Sequence, residues 1–445
     1  MDELLALCRR VVDIAVGAGA DEAEAMALSA QEVNVELQKN DLNIAKSMSG
    51  NSLGIRVYRD RSLGFAYVNS FEEENIRDSV ERAMGIAAGA PSDENNALPD
   101  PTPVASIEGL YDPQADDFGV EKAVELALSM LRAARDYDPR VTIDSGELSG
   151  HTGEKAIAST RGVEVSERSS FFYSVIMGMA REGDSVSSFD YQFEGAWSPS
   201  RMDPVAMALK LAKNVVDSLG AVSGETFKGP VILAPKAASG IVVSPVMSSA
   251  SASSVQRETS RFRGRLGEVV GSELLTVIDE SRLPEGAGST SFDREGIAPE
   301  SLHVIEKGVL RSFLYDSYTA RKDGRSSNGH AGGGVSAVPV VSSTNVVLSP
   351  GETPLADMIA GIDKGVLVTR FAGNVDPVSG DFSGSVKGGR MIRGGRLEEP
   401  LSGTMIAGNT FDSLSRVTAV SKETERMFST VVPYLAVDGL SVTSE

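Results

Sequence analysis

Three histidines, His151, His303 and His330, are the first residues to weigh for metal chemistry, and they stand far apart in the chain. None has a second His, a Cys or a paired carboxylate at the spacing of a zinc site, so no metal site is expected in this chain. His330 lies in the run Gly329-His330-Ala331-Gly332-Gly333-Gly334. The plain reading is a Gly-rich loop with an exposed His; the functional one is a lid, or a loop that shows its backbone to a peptide. No Gly-Lys-Ser/Thr follows, so it is not a phosphate loop. Asp376 and Asp381 flank a Pro-Val-Ser-Gly tetrapeptide. That segment reads as a turn, because the spacing of a calcium loop is missing.

Serine offers a second chemistry. Residues 248–254 are Ser-rich and Lys236 lies upstream, which raises a Ser–Lys nucleophile. Serine on a helix more often bonds backbone carbonyls than catalyses. No catalytic residue is assigned. The run Ile241-Val242-Val243-Ser244-Pro245-Val246-Met247 is apolar enough to pack a core, and Pro245 must disturb any helix there. Ser244, Met247, Ser248 and Ser249, with His330, Gly332 and Gly333, are the candidates for lining a substrate groove.

Arg257, Arg261, Arg263 and Arg265 form a basic cluster in an acidic chain. Arginine suits interfaces and carboxylate binding. Arg257, Arg261 and Arg263 are therefore candidates for a partner's acidic surface or a peptide C-terminus. Pairing with Glu258, Glu268 or Glu273 inside the chain is the equal alternative.

The elements that must hold these residues follow from periodicity. Residues 2–18 form an amphipathic helix through Leu4, Leu5, Cys8, Val11, Val12 and Ala15. Alternation in Val33–Gln38 and in Ile55–Tyr67 marks strands, the latter turning at Arg59-Asp60-Arg61-Ser62. Helices are expected at about 72–88, 120–135 and 204–219, with strands at about 141–149, 154–159, 163–181 and 186–197. Helix–strands–helix thus occurs twice, which suggests an internal duplication. Between the two copies an acidic, Pro-rich connector covers about 91–118. After Lys228 the texture changes: a strand at 229–233, a helix with a Pro in it at 235–256, then many short strands to residue 440. Gly388-Gly389 and Gly394-Gly395 mark tight turns, and 412–421 is expected as a late helix. The expected fold class is α+β. An N-terminal domain, 1–222, has an antiparallel sheet with helices; a C-terminal domain, 223–445, is β-rich and barrel-like.

Composition bounds the partners. The chain has 445 residues, 41% hydrophobic, enough for two or three cores. Its formal net charge of −20 repels phosphate backbones, so no nucleic-acid partner is expected. No apolar stretch approaches about 18 residues, so no membrane span is expected. One cysteine, Cys8, allows no intrachain disulfide and fits a reducing cytoplasm. The start Met-Asp-Glu-Leu-Leu lacks the basic region of a signal peptide.

The stretch from Lys228 to Glu280 resembles the TldD/PmbA peptidase family, and the likeness extends over the chain. It is most specific in Ala234–Ser254, in Gly264–Asp279, and in Asn374–Arg396 with its Gly-Asp-Phe-Ser-Gly-Ser string. In the metal-bearing TldD branch a matching segment reads His-Glu, three residues, then His. Here Ser244, Pro245 and Ser249 occupy those positions. That branch also uses a cysteine near its C-terminus, and Glu425–Thr430 here contains none. The resemblance therefore implies the TldE, or PmbA, branch. It implies a two-domain fold, a dimer around a peptide tunnel, and zinc in a TldD-like partner rather than here. The expected role is the non-metal subunit of a cytoplasmic metallopeptidase that degrades or trims unfolded peptides. The alternative is a self-associating binding or regulatory protein with no proteolytic role.

Overall fold

The computed structural model describes residues 2–444. Helix α1 (Asp2–Gly17) buries Leu4, Leu7, Cys8, Val11, Val12 and Ala15, the stripe that its spacing requires. Three strands follow, β1 (Glu22–Gln38), β2 (Asp41–Arg59) and β3 (Ser62–Val68), then α2 (Glu73–Gly89). The order repeats in α3 (Val120–Tyr137), β4 (Val141–Ser159), β5 (Glu164–Glu182), a short β6 (Ser185–Val186), β7 (Asp190–Ala196) and α4 (Pro204–Val216). The seven strands make one antiparallel sheet with the path β3-β2-β1-β4-β5, where β5 also pairs with β7. The two copies thus meet at the β1–β4 pair, whose register runs from Glu24↔Ser159 to Gln38↔Ser145.

The helices share one face of this sheet. Ala23, Ala25 and Ala27 of β1 pack with α1 and α2, and Val33, Val35 and Leu37 pack with α3 and α4. All six sit at odd positions, so they point to one side. The even positions Glu24 and Met26 face the other half of the chain, where Met26 packs with Phe292 and Val335. Beyond Ser52, β2 is paired to both β1 and β3; before it, only to β1. On that unpaired edge Leu42, Ile44 and Met48 are exposed.

The second half forms a fourteen-stranded mixed sheet. Its elements begin with β8 (Val222–Ser223), β9 (Phe227–Leu233), α5 (Pro235–Ala238), α6 (Ser244–Ala250) and α7 (Ala252–Gln256). Then come β10 (Val277–Asp279), β11 (Leu302–Glu306), β12 (Val309–Leu310), α8 (Ser317–Lys322), and the separate pair β13 (Ala331–Gly332) and β14 (Val340–Val341). The chain continues through β15 (Val346–Leu348), α9 (Leu355–Ala360), β16 (Lys364–Val368), β17 (Arg370–Val375), β18 (Asp381–Lys387), β19 (Arg390–Arg393) and β20 (Arg396–Ser402). It closes with β21 (Thr404–Asn409), α10 (Thr410–Leu414), β22 (Val417–Met427) and β23 (Thr430–Ser444). The long β23 is the hub, pairing with β9, β15, β21 and β22.

Several expected boundaries shift. Residues 141–159 are one strand rather than two, because β1 and β5 pair it along its whole length. The expected late helix at 412–421 is cut to Thr410–Leu414, and β22 takes over at Val417 to pair with β23. The strand that starts at Val309 already ends at Leu310. The 91–118 connector has almost no regular structure, yet it buries Leu98, Leu110, Ala115 and Phe118. Phe118 meets Phe172 edge-on at 4.8 Å between centroids. The turn Gly394-Gly395 has φ of 51° and 74°, both left-handed, as a two-residue hairpin between β19 and β20 requires.

Buried charge ties the halves together. Glu24 bonds Arg56 at 2.6 Å and Arg294 at 2.8 Å, and Arg56 bonds Glu295 at 2.9 Å, all four being buried. Asp190 pairs with Arg370 at 2.9 Å across the same boundary. Phe428 stacks on Phe193 at 4.9 Å.

Candidate functional site

The site is built on a helix that the sequence breaks. After α5, residues Ser239–Val243 form a π turn, in which the Ser244 N–H donates to Ser239 O five residues back. Pro245 has no N–H, so it cannot close an ordinary α turn onto Ile241. The widened turn absorbs that loss. The Thr410 hydroxyl then donates to the orphaned Ile241 carbonyl at 2.5 Å. Ser251 leaves the helix at φ −70°, ψ 124°, and α7 resumes after it. At this break Ala252 N donates to Leu314 O and Leu314 N to Ala250 O.

A groove of ≈ 470 Å³ runs along this broken helix. Ser244, Met247, Ser248 and Ser251 line it. They are spaced i, i+3, i+4 and i+7, so they share a face. Ser254 and Arg257 extend that side, and Val341, Ser342, Ser343, Val346 and Thr430 form the other. Ser249 was expected here and is not. It lies one residue off the stripe, is buried, and its hydroxyl has no hydrogen-bond partner among the described residues.

His330, Gly332 and Gly333 line a second hollow of ≈ 190 Å³, with Lys155, Asp293 and Arg294. Ser342 and Ser343 belong to both hollows and separate them. The expected exposure of His330 is wrong: the residue is 1% exposed. Its Nδ1 lies 2.9 Å from both Asn328 O and Asn328 Oδ1, and its Nε2 lies 3.3 Å from Asp279 Oδ1. Asp279 in turn accepts from the Thr344 N–H at 3.1 Å. The Ser342 N–H donates to His330 O at 2.9 Å, which ties the wall carrying Ser342 and Ser343 to this residue. Gly332 is there for a steric reason, since a Cβ on it would stand 2.3 Å from Ser342 Cβ.

Beside His330, Asp293 accepts the N–H groups of Glu295, Ile297 and Ala331. Burial and the neighbouring charge of Glu295 outweigh those bonds and push its carboxyl up to about 7. Cys8 is buried against Ala156 O, and burial pushes its thiol up to about 12, which makes it structural.

Lys236 does not serve the serines. Its ammonium donates to Tyr191 O and lies over the Tyr191 ring at 4.7 Å, where burial lowers its pKa to about 8. The spacing Gly50-Asn51-Ser52-Leu53-Gly54 also fits a nucleophile elbow. It lies inside β2 with no strand-to-helix turn, and Ser52 Oγ lies 3.3 Å from the Tyr67 hydroxyl. Asp376 accepts the Val378 and Ser379 N–H groups, the bonding of a turn.

The arginines divide. Arg263 pairs with Glu258 at 2.8 Å and Arg265 with Glu268 at 3.1 Å. Arg257 has no carboxylate partner among the described residues, and bonds only Ser253 O on its own helix at 3.3 Å. Arg261 stands over Phe411 at 5.8 Å, and the exposed Val269 lines the same hollow.

Zinc is the metal that the resemblance brings to mind, and the groove does not fit it. Its donors are neutral hydroxyls beside one guanidinium, with no imidazole, thiolate or carboxylate. Among the described residues no cluster of three or more His, Cys, Asp or Glu could hold a metal ion. Sequence reasoning missed Ser251, Ser254, Ser342, Ser343 and Thr430; Ser251 continues the spacing of Ser244, Met247 and Ser248, whereas Ser342, Ser343 and Thr430 reach the groove only through the fold.

Three family descriptions match the chain in sequence: PmbA/TldA metallopeptidase domain 1 at residues 23–87, the central domain at 113–219, and the C-terminal domain at 226–444. The chain is 29% identical to a metalloprotease PmbA homolog of Haemophilus influenzae, over 97% of this chain and 94% of that one. It is 28% identical to a metalloprotease TldD homolog of Buchnera aphidicola, over 83% and 79%. The crystal structure of TldE from Thermococcus kodakarensis has the same fold, with a TM-score of 0.90 at 23% identity over 98% of this chain and 100% of that one. With matches in all three family domains, this chain belongs to the PmbA/TldD metallopeptidase family.

Proposed function

We propose that this chain is the TldE-like, non-metal subunit of a cytoplasmic TldD/TldE-type metallopeptidase. Its task is to complete a chamber for unfolded peptide, while a TldD-like partner carries the zinc and the hydrolytic chemistry. One observation carries the reading. The helix at Ser244–Ser249 and the C-terminal strand β23, distant in sequence, converge on one groove, which Ser244, Ser248 and Thr430 all line. The place where such a fold could assemble ligands from two segments is lined instead by hydroxyls, which neither bind a divalent transition metal well nor shuttle protons near neutral pH. The groove keeps a use as a binding surface. The strand β14 pairs on one side with β13, and an extended peptide can add to the other through main-chain hydrogen bonds. Relatives named as metalloproteases support the peptide class. The exposed Val269, in one hollow with Arg261, Arg265 and Phe411, supports a protein partner at that flank.

The test is cleavage of an unstructured peptide by the purified chain, with and without a co-purified TldD-like homologue. Chelator-sensitive cleavage only with the partner is expected. If the chain binds copies of itself and neither a TldD-like protein nor peptide, the regulatory alternative stands instead.

A further inference from the structure

The groove contains one charged side chain, Arg257, and no carboxylate. The protein as a whole carries −20. Acid groups abound elsewhere, and the neighbouring Arg263 and Arg265 are occupied by Glu258 and Glu268. Arg257 lines the groove, and among the described residues its guanidinium bonds only Ser253 O, through Nε. Ser251, Ser254, Ser342, Ser343 and Thr430, all hydroxyl residues, line the same groove. Hydroxyls can donate to an anion without adding charge of their own. Val243, Met247 and Leu314 add an apolar lining to the groove.

We propose that Arg257 is the anchor for the C-terminal carboxylate of a bound peptide, and that the Val243–Met247–Leu314 surface takes its last, apolar side chain. This rests on the peptide-binding reading above and sharpens it. A planar guanidinium matches a carboxylate in two parallel hydrogen bonds, which a lysine cannot reproduce. An apolar lining beside the anion site favours a peptide end over inorganic phosphate, for which methyl and thioether groups offer nothing. The consequence is directional. A peptide held by its C-terminus enters the groove in one orientation and register, so a partner's catalytic centre would meet bonds at a fixed distance from that end.

The experiment uses the full chain and fluorescent, unstructured decapeptides ending in Leu, either as the free acid or as the amide. Binding is followed by anisotropy, with Arg257→Gln and Arg257→Lys alongside. Arg257 is exposed, so neither change disturbs the core. The free acid is expected to bind about tenfold to hundredfold more tightly than the amide, the span for a charge-assisted hydrogen bond. Arg257→Gln should erase that difference, and Arg257→Lys should restore only part of it. A decapeptide acid ending in Asp should bind more weakly than the one ending in Leu. Equal binding of acid and amide to the unaltered protein overturns the anchor while leaving the groove as a peptide site. Binding of neither peptide overturns both readings. Displacement of the acid by low millimolar phosphate, with no preference for an apolar end, shows a simple anion site and also overturns the proposal.

Discussion

Pro245 is tolerated inside a buried helix because another residue repairs its defect. The missing N–H leaves Ile241 O without its helical donor, and Thr410 Oγ1 supplies one. Replacing Thr410 by Val keeps the shape and removes the donor. Leaving that carbonyl unpaired should cost about 1–3 kcal/mol, measured by urea unfolding. Adding Pro245→Ala restores an N–H nearby, so the double variant should lose less than the sum of the singles by about 1 kcal/mol; strict additivity would show that the two residues are unrelated. Asp293 gives a pH signature. Its carboxyl ordinarily titrates at 3.8 and here at about 7, so the folded state holds the proton more tightly. The stability it contributes is complete below about pH 4 and is lost as pH rises through 7. The advantage of the unaltered protein over Asp293→Asn should therefore shrink across that window in unfolding measurements, and a gap independent of pH would refute the shift. Residue types alone set the expectation that this chain holds no metal. They did not show that His330 is buried, because Asp279 reaches it from a segment that no local pattern links to it.

The elements were legible where one periodicity ran long enough. α1 and the helices at 73–89, 120–137 and 204–216 follow their apolar stripes closely. The C-terminal strands were harder, since partners on both sides set their ends. Val417–Ser421 carries a mixed pattern that reads as helix, yet β23 offers an open edge to it and pairing wins. The broken helix was half legible: Pro245 announced a bend, but the π turn before it depends on Thr410 and on tertiary packing. The short β13–β14 pair makes a test at this scale. In Gly332→Ala the new methyl would overlap Ser342 Cβ, forcing the wall outward at a cost of about 1–3 kcal/mol. Faster proteolysis within residues 330–343 is expected, together with weaker peptide binding. Unchanged cleavage kinetics would mean that the two strands are not held as described.

The molecule as a whole joins two halves through buried charge. Arg56 holds Glu24 and Glu295 at once, with both carboxylates out of water. Removing one partner of such a network strands the others, at about 3–5 kcal/mol. Arg56→Met should lower the urea midpoint accordingly, and should do so for probes in both halves; a loss confined to the N-terminal sheet would show that the halves are not coupled there. The α+β class was readable from element order, and the repeated helix–strands–helix unit emerged as a sheet mirrored about β1 and β4. The meeting of Ser244 and Thr430 was not readable, because nearly two hundred residues and a parallel strand pair intervene. That meeting is the centre of the functional account, and its most direct test is the zinc content of the isolated protein after equilibration with zinc and removal of loosely bound ions. Far less than one zinc per chain is the predicted result. One tightly held zinc per chain, lost when Ser244 and Ser248 are changed to Ala, would contradict it.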